Sequence, residues 1–291
     1  MTDNKTLNQK NIEQRKTLSP EKQALLAKRL QGKTSNLATR RILPVTTGET
    51  IPVSYSQQRL WFVQQMDPSS NWYNRATRLK VTGNLDIEHL EQVVNDIINR
   101  HQVLRTTYLM HAGELCQIVT PPSFIRLQQE DFSHLEPAAL EERIDLLIEQ
   151  PFDLASGNLV RLYLFRQAQD KHLFLFITHH IVFDRWSEEV FIKEVEAAYQ
   201  NHVLPELSIQ YADFAAWQRS EEQLVRLESH LAYWKNKLGG DLPVLKLPEY
   251  HARPAVQDNR GTRLEINLPA VLLKQLKDQA RDQGCTLFML L

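Results

Sequence analysis

At 291 residues and 42% hydrophobic content, the chain is long enough to bury one large core or two lobes. Its charge nearly balances at −1, which gives no electrostatic argument for nucleic acid or an anionic membrane as partner. Two cysteines, Cys116 and Cys285, stand in no metal or disulfide spacing and point to a reducing compartment. The opening MTDNKTLNQKNIEQRK has no signal-peptide pattern, and no apolar run approaches the roughly 20 residues of a membrane span, so the expectation is a cytosolic protein.

Residues 1 to about 17 are polar and expected to be disordered. A short helix is expected next, capped by Ser19 with Pro20 at its first position, striped by Leu25, Leu26 and Leu30 and stopped at Gly32. Lys33 to Glu49 reads as a polar connector. From Asn74 to Thr82 the chain is extended, with a turn at Gly83 and Asn84. Asp86 then starts an amphipathic helix in which Ile87, Leu90, Val93, Val94, Ile97 and Ile98 share one face, ending near Arg100. Thr106–Met110 and Leu115–Val119 form a hairpin about His111, Ala112 and Gly113. A second amphipathic helix carries Leu140, Ile144, Leu147 and Ile148, and leads into a strand at Leu159–Arg166.

Next comes KHLFLFITHHIVFDRWSEEVFIKEVEAAY, Lys171 to Tyr199. Leu173–Ile177 is continuously apolar and too short for a helix, the pattern of a strand buried on both faces. From Ser187, a plausible N-cap, Val190, Phe191, Val195, Ala198 and Tyr199 recur at helical spacing, with Glu188 and Glu189 in the first turn. His179, His180 and Asp184 therefore lie at a strand end and in the following loop, where a rigid scaffold presents chemistry. Neighbours on a strand point to opposite faces, so one histidine is expected to be chemical and the other structural. The same geometry argues against a metal, since no third ligand stands at a familiar spacing.

Beyond this, Glu221–Leu238 is a long polar helix with Trp234, ended by Gly239 and Gly240. A strand is expected at Thr262–Leu268, then a helix from Pro269 to about Gln283, and Thr286 can cap another. The closing LFMLL has neither a C-cap nor a polar flank, which reads as a chain incomplete at that point. The order is mixed strands and helices, an α/β layer fold.

HHIVFDRWS resembles the HHxxxDGxS signature of the condensation domains of nonribosomal peptide synthetases, matching at His179, His180, Asp184 and Ser187. Arg185 departs from it, standing where the family has glycine. SYSQQRLWF (Ser54–Phe62), RHQVLRTTY (Arg100–Tyr108) and YADFAAW (Tyr211–Trp217) resemble three further family signatures in the same order. The resemblance spans about Ile51 to the last residue.

The resemblance implies a chloramphenicol acetyltransferase-like fold, in which two lobes form a V. Residues 1–50 would be a disordered or docking segment with linker, 51–240 the N-terminal lobe with a mixed sheet, and 241–291 the start of an incomplete C-terminal lobe. It implies amide formation between a thioester donor and an aminoacyl thioester acceptor, with His180 at the reacting centre. Partners would be upstream and downstream carrier proteins and the missing lobe. No cofactor would be bound directly, since substrates ride on the carriers' phosphopantetheine. An imidazole, with an unperturbed pKa of about 6.5, suits a base near neutrality. His179 and Ser187 would be structural, and Asp184 would either orient His180 or pair with Arg100 or Arg105. Arg185, Ser54, Arg59 and Trp217 are candidates to line the substrate tunnel. For Arg185 the alternative is a local pair with Glu188 or Glu189, for Trp217 core packing, and for Ser54 and Arg59 structural hydrogen bonding. Two other functions stay open: a non-catalytic docking remnant, and a coenzyme A-dependent acyltransferase of the same superfamily.

Overall fold

The computed structural model describes residues 42–45, 50–244, 264 and 266–291. The helix expected behind Ser19, most of the connector and three of the seven residues of the strand expected from Thr262 lie outside these residues. The chain divides into two units, residues 1–242 and 243–291.

Four strands make the main sheet of the first unit: β2 (Asn74–Thr82), β5 (Leu127–Asp131), β6 (Val160–Ala168) and β7 (Lys171–His179), in the order β2-β7-β6-β5. The first two pairings are antiparallel and β5 joins β6 in parallel, so the sheet is mixed. From His172 to His179 every residue of β7 is buried. That is why its sequence reads as an unbroken apolar run rather than an alternation: it has a strand on either side and helices on both faces.

The side-chain period of two assigns the faces. Thr77 lies opposite Phe176, and its hydroxyl donates to Glu188 of the helix α4 (Arg185–Tyr199), while Phe176 stacks on Phe191 of that helix at 4.2 Å. Arg78, on the other face opposite Leu175, pairs at 2.7 Å with Glu141 of α3 (Pro137–Glu149). The helix α2 (Ile87–Arg100) packs against α4 and buries Leu90, Val93, Val94, Ile97 and Ile98, the stripe its sequence shows. Asp86 caps it, accepting from the His89 N–H at 3.0 Å.

The hairpin β3 (Thr106–His111) and β4 (Glu114–Val119) joins β1 (Ile51–Pro52) in a separate three-stranded sheet. Its two-residue turn holds both Ala112 and Gly113 at positive φ, 50° and 86°, the handedness that matches the twist of the flanking strands. Ser54 caps α1 (Tyr55–Met66). α5 (Tyr211–Gln218) and α6 (Glu221–Leu238) complete the unit, and α6 buries none of its residues. In the second unit α7 (Ala270–Asp282) is followed by α8 (Leu287–Leu290), capped by Thr286; Leu264 and residues 266–269 are irregular. Among the described residues no helix is long and apolar enough to cross a membrane, and no three His, Cys, Asp or Glu side chains gather as a metal site.

The strand expected at Thr262–Leu268 is irregular at its described residues, and one helix boundary also differs from the sequence reading. α4 begins at Arg185, and Asp184 rather than Ser187 is its N-cap: the Ser187 N–H and hydroxyl both donate to Asp184 Oδ1, at 2.8 and 2.7 Å. An aspartate reaches the third amide of a helix as readily as a serine does, so the helix starts three residues earlier.

Candidate active site

β7 ends at His179, and the chain turns at once, so the two histidines separate as alternation demands. His179 is 1% exposed. Its Nδ1 accepts from the Ile181 N–H at 3.1 Å, which puts the ring proton on Nε2, facing Gln64 Oε1 at 3.4 Å. Burial first, and the neighbouring His180 second, push its pKa down to about 4, so this ring stays neutral.

His180 is only partly buried. Its backbone N–H donates to the Tyr73 carbonyl at 2.7 Å, one rung beyond the β2–β7 ladder, and its ring stacks near Tyr73 with centroids 6.3 Å apart. His180 Nδ1 lies 2.7 Å from the Phe183 carbonyl. A carbonyl only accepts, so Nδ1 carries the hydrogen and the lone pair falls on Nε2, which has no partner among the described residues. The ring borders a cleft of about 390 Å³ whose walls include Arg59, Tyr73, Val103, Phe183, Asp184 and Tyr211.

The ion pair expected between Asp184 and an arginine of RHQVLRTTY is not made. Arg100 instead holds Glu194 at 3.4 Å and donates to the Pro205 carbonyl, while Glu194 also meets His101 Nε2 at 2.5 Å. Glu194 stands ten residues beyond Asp184 on α4, roughly 15 Å along the axis. Arg105 gives its guanidinium to the carbonyls of Asn99 and Thr120. Asp184 is exposed and spends its carboxylate on the cap. Burial works to raise its pKa, but the two bonds from Ser187, helped by His180, outweigh it and hold the carboxyl below its ordinary value.

Of the four candidate tunnel residues only Arg59 borders the cleft. Ser54 is buried in the α1 capping box, exchanging bonds with Gln57 and meeting the Tyr211 hydroxyl at 3.0 Å. Arg185 has a side chain 76% exposed and pairs with Glu188 at 3.0 Å on the first turn of α4. Trp217 packs by Phe214 within α5; from the same signature it is Tyr211 that reaches the cleft. Tyr73 and Gln64 escaped the sequence reading. The one available signal was position, since Tyr73 immediately precedes the strand that pairs with the histidine strand.

A family model described as "Condensation domain" matches residues 47–291. One component of the linear gramicidin synthase of Brevibacillus parabrevis is 42% identical over 276 residues, covering 91% of this chain and 4% of that protein. Surfactin synthase subunit 2 of Bacillus subtilis (strain 168) is 35% identical over 251 residues, 85% of this chain and 7% of its own length. The chain thus spans less than about a tenth of these relatives. Among solved structures, the X-domain from teicoplanin biosynthesis superposes with a TM-score of 0.69 at 27% identity, over 84% of this chain and 56% of that one. The condensation domain from the Monacolin K polyketide synthase MokA gives 0.68 at 22% identity, over 84% and 57%, a likeness of fold alone.

Proposed function

The chain belongs to the condensation-domain family, and on that premise we propose that it forms amide bonds within a nonribosomal peptide synthetase, joining a carrier-bound acyl or peptidyl thioester to a carrier-bound aminoacyl thioester. One observation carries this reading: His180 Nδ1 is pinned to the Phe183 carbonyl, which leaves Nε2 as a fixed acceptor beside a cleft. His179 is unsuited to the task, because its Nδ1 already accepts from Ile181 and its Nε2 bears the proton.

An α-amino group has a pKa of about 8 and is partly neutral in the cytosol, so it attacks the thioester carbonyl without prior help. His180 Nε2 then takes the proton from the nitrogen of the tetrahedral intermediate. The C–S bond breaks, the amide remains, and the imidazolium returns the proton to the departing thiolate. General-base help of this kind is worth about 10²- to 10⁴-fold, whereas aligning two reactants is worth about 7–11 kcal/mol. Positioning carries the larger share, and it falls to the walls of the cleft.

In this reading the partners are upstream and downstream carrier proteins, whose phosphopantetheine arms bring both substrates; the domain itself binds no cofactor. Residues 51–240 form the first lobe, 241–291 begin a second, and residues 1–50 link or dock to a neighbouring module. The test is single-turnover amide formation between two loaded carriers by the full protein. His180→Ala is expected to lower the rate about 10²-fold or more, with His179→Asn much less affected. A His180→Ala protein that condenses at the wild-type rate would overturn the assignment, and acylation from free coenzyme A thioester without a carrier would move it to the coenzyme A-dependent class.

A further inference from the structure

We propose that an apolar chamber beside the His180 cleft receives a large apolar side chain of the thioester-bound substrate, and selects it over a small or polar one. The inference rests on acyl transfer at His180. The chamber is about 250 Å³ and its walls are chiefly Leu104, Val182, Phe183, Trp186, Val190 and Ile209. It shares Val103, Val182, Phe183, Ser187 and Tyr211 with the cleft, so a substrate whose reacting carbon lies near His180 has its substituent at the chamber's edge.

The chemistry of the walls decides what fits. Ser187 Oγ is committed to Asp184 at 2.7 Å, and Tyr211 Oη to Ser54 at 3.0 Å. The Gln210 amide is held between the Gln102 N–H and the Arg100 carbonyl, both at 3.1 Å, and His101 Nε2 lies on Glu194. A hydroxyl or amide entering here gives up water and finds these groups already bonded, whereas a hydrocarbon loses nothing. The floor is rigid, because Phe183 and Phe191 are both braced on Phe176, with centroids at 5.3 and 4.2 Å. At the mouth Trp186 is 75% exposed and Ile209 41% exposed, apolar surface that a seated side chain would cover.

The full protein is titrated with hydrolysis-stable pantetheine amides of N-acetyl-leucine, N-acetyl-alanine and N-acetyl-serine, read by calorimetry and by tryptophan fluorescence. The leucine compound is expected to bind at least about 10-fold tighter than the other two, as for an apolar pocket that gains several carbons. Ile209→Asp, and separately Leu207→Asp at a position 37% exposed, place a carboxylate at the mouth without opening the core, and each should erase that difference. Equal binding of the three compounds, no saturable binding of any, or a leucine preference that survives both variants would overturn the chamber. His180→Ala separates the two levels: a leucine preference kept while transfer is lost supports both. Preference without transfer in the wild type sinks the acyl-transfer reading alone.

Discussion

Acid should destabilise this fold through His179 in particular. The ring is 1% exposed, with Tyr73 and Phe152 beside it and Gln64 and His180 as its polar neighbours, and among the described residues no carboxylate pairs with it. Its pKa is pushed down to about 4 by burial and then by His180, against about 6.5 in an unfolded chain. Above about pH 6.5 neither state holds the proton, and this contribution to stability is fully present. As pH falls from about 6.5 to 4 the unfolded chain binds a proton that the folded one refuses, and stability drops by up to about 1.4 kcal/mol per pH unit. Below about 4 the folded state takes the proton too, and the loss levels off near 3 kcal/mol. The assay is urea unfolding at pH 7, 6, 5 and 4 for the wild type and His179→Asn, whose amide oxygen can still accept from the Ile181 N–H. The wild type should lose about 3 kcal/mol more than the variant across that range. Parallel pH profiles for the two proteins would refute the reasoning.

Asp184→Ala removes a helix cap and not a buried ion pair, so chemical denaturation should register about 1 kcal/mol rather than the 3–5 of a broken buried pair. Arg185→Gly loses an exposed contact to Glu188, and its unfolding free energy should change by less than about 1 kcal/mol. Ile144→Ala, at a fully buried position, is expected to cost about 2–5 kcal/mol in the same measurement. Ala112→Gly relieves a left-handed backbone at φ 50° and should raise the melting temperature, with a gain of up to about 1 kcal/mol at the midpoint.

What could be read from the sequence was what local rules decide. The six apolar residues of α2 share a face by periodicity alone, and Asp86 marks its start whatever surrounds it. β2 and α6 likewise have the bounds their residues suggest. β5 was not visible, because Leu127–Asp131 is a mostly exposed polar edge strand that owes its extension to pairing with β6. Nothing in Thr106–Val119 tells that this hairpin leaves the main sheet for β1. At the site, the separation of the two rings followed from strand alternation, while the expectation that His180 reacts rests on resemblance. Partners failed where they depend on distance in space: Asp184 and Arg100 are both charged, but α4 brings Glu194 to the arginine first.

The main-chain bond from His180 to Tyr73 fastens the imidazole proposed as the base to the sheet. Amide protons there should be among the last to exchange with deuterium, released only when the whole unit unfolds. Among the described residues, the walls made of α4's first turn and of the segment before α5 are held by side chains and make no main-chain bond to the sheet, so drift in sequence can reshape what is admitted while the imidazole stays where it was.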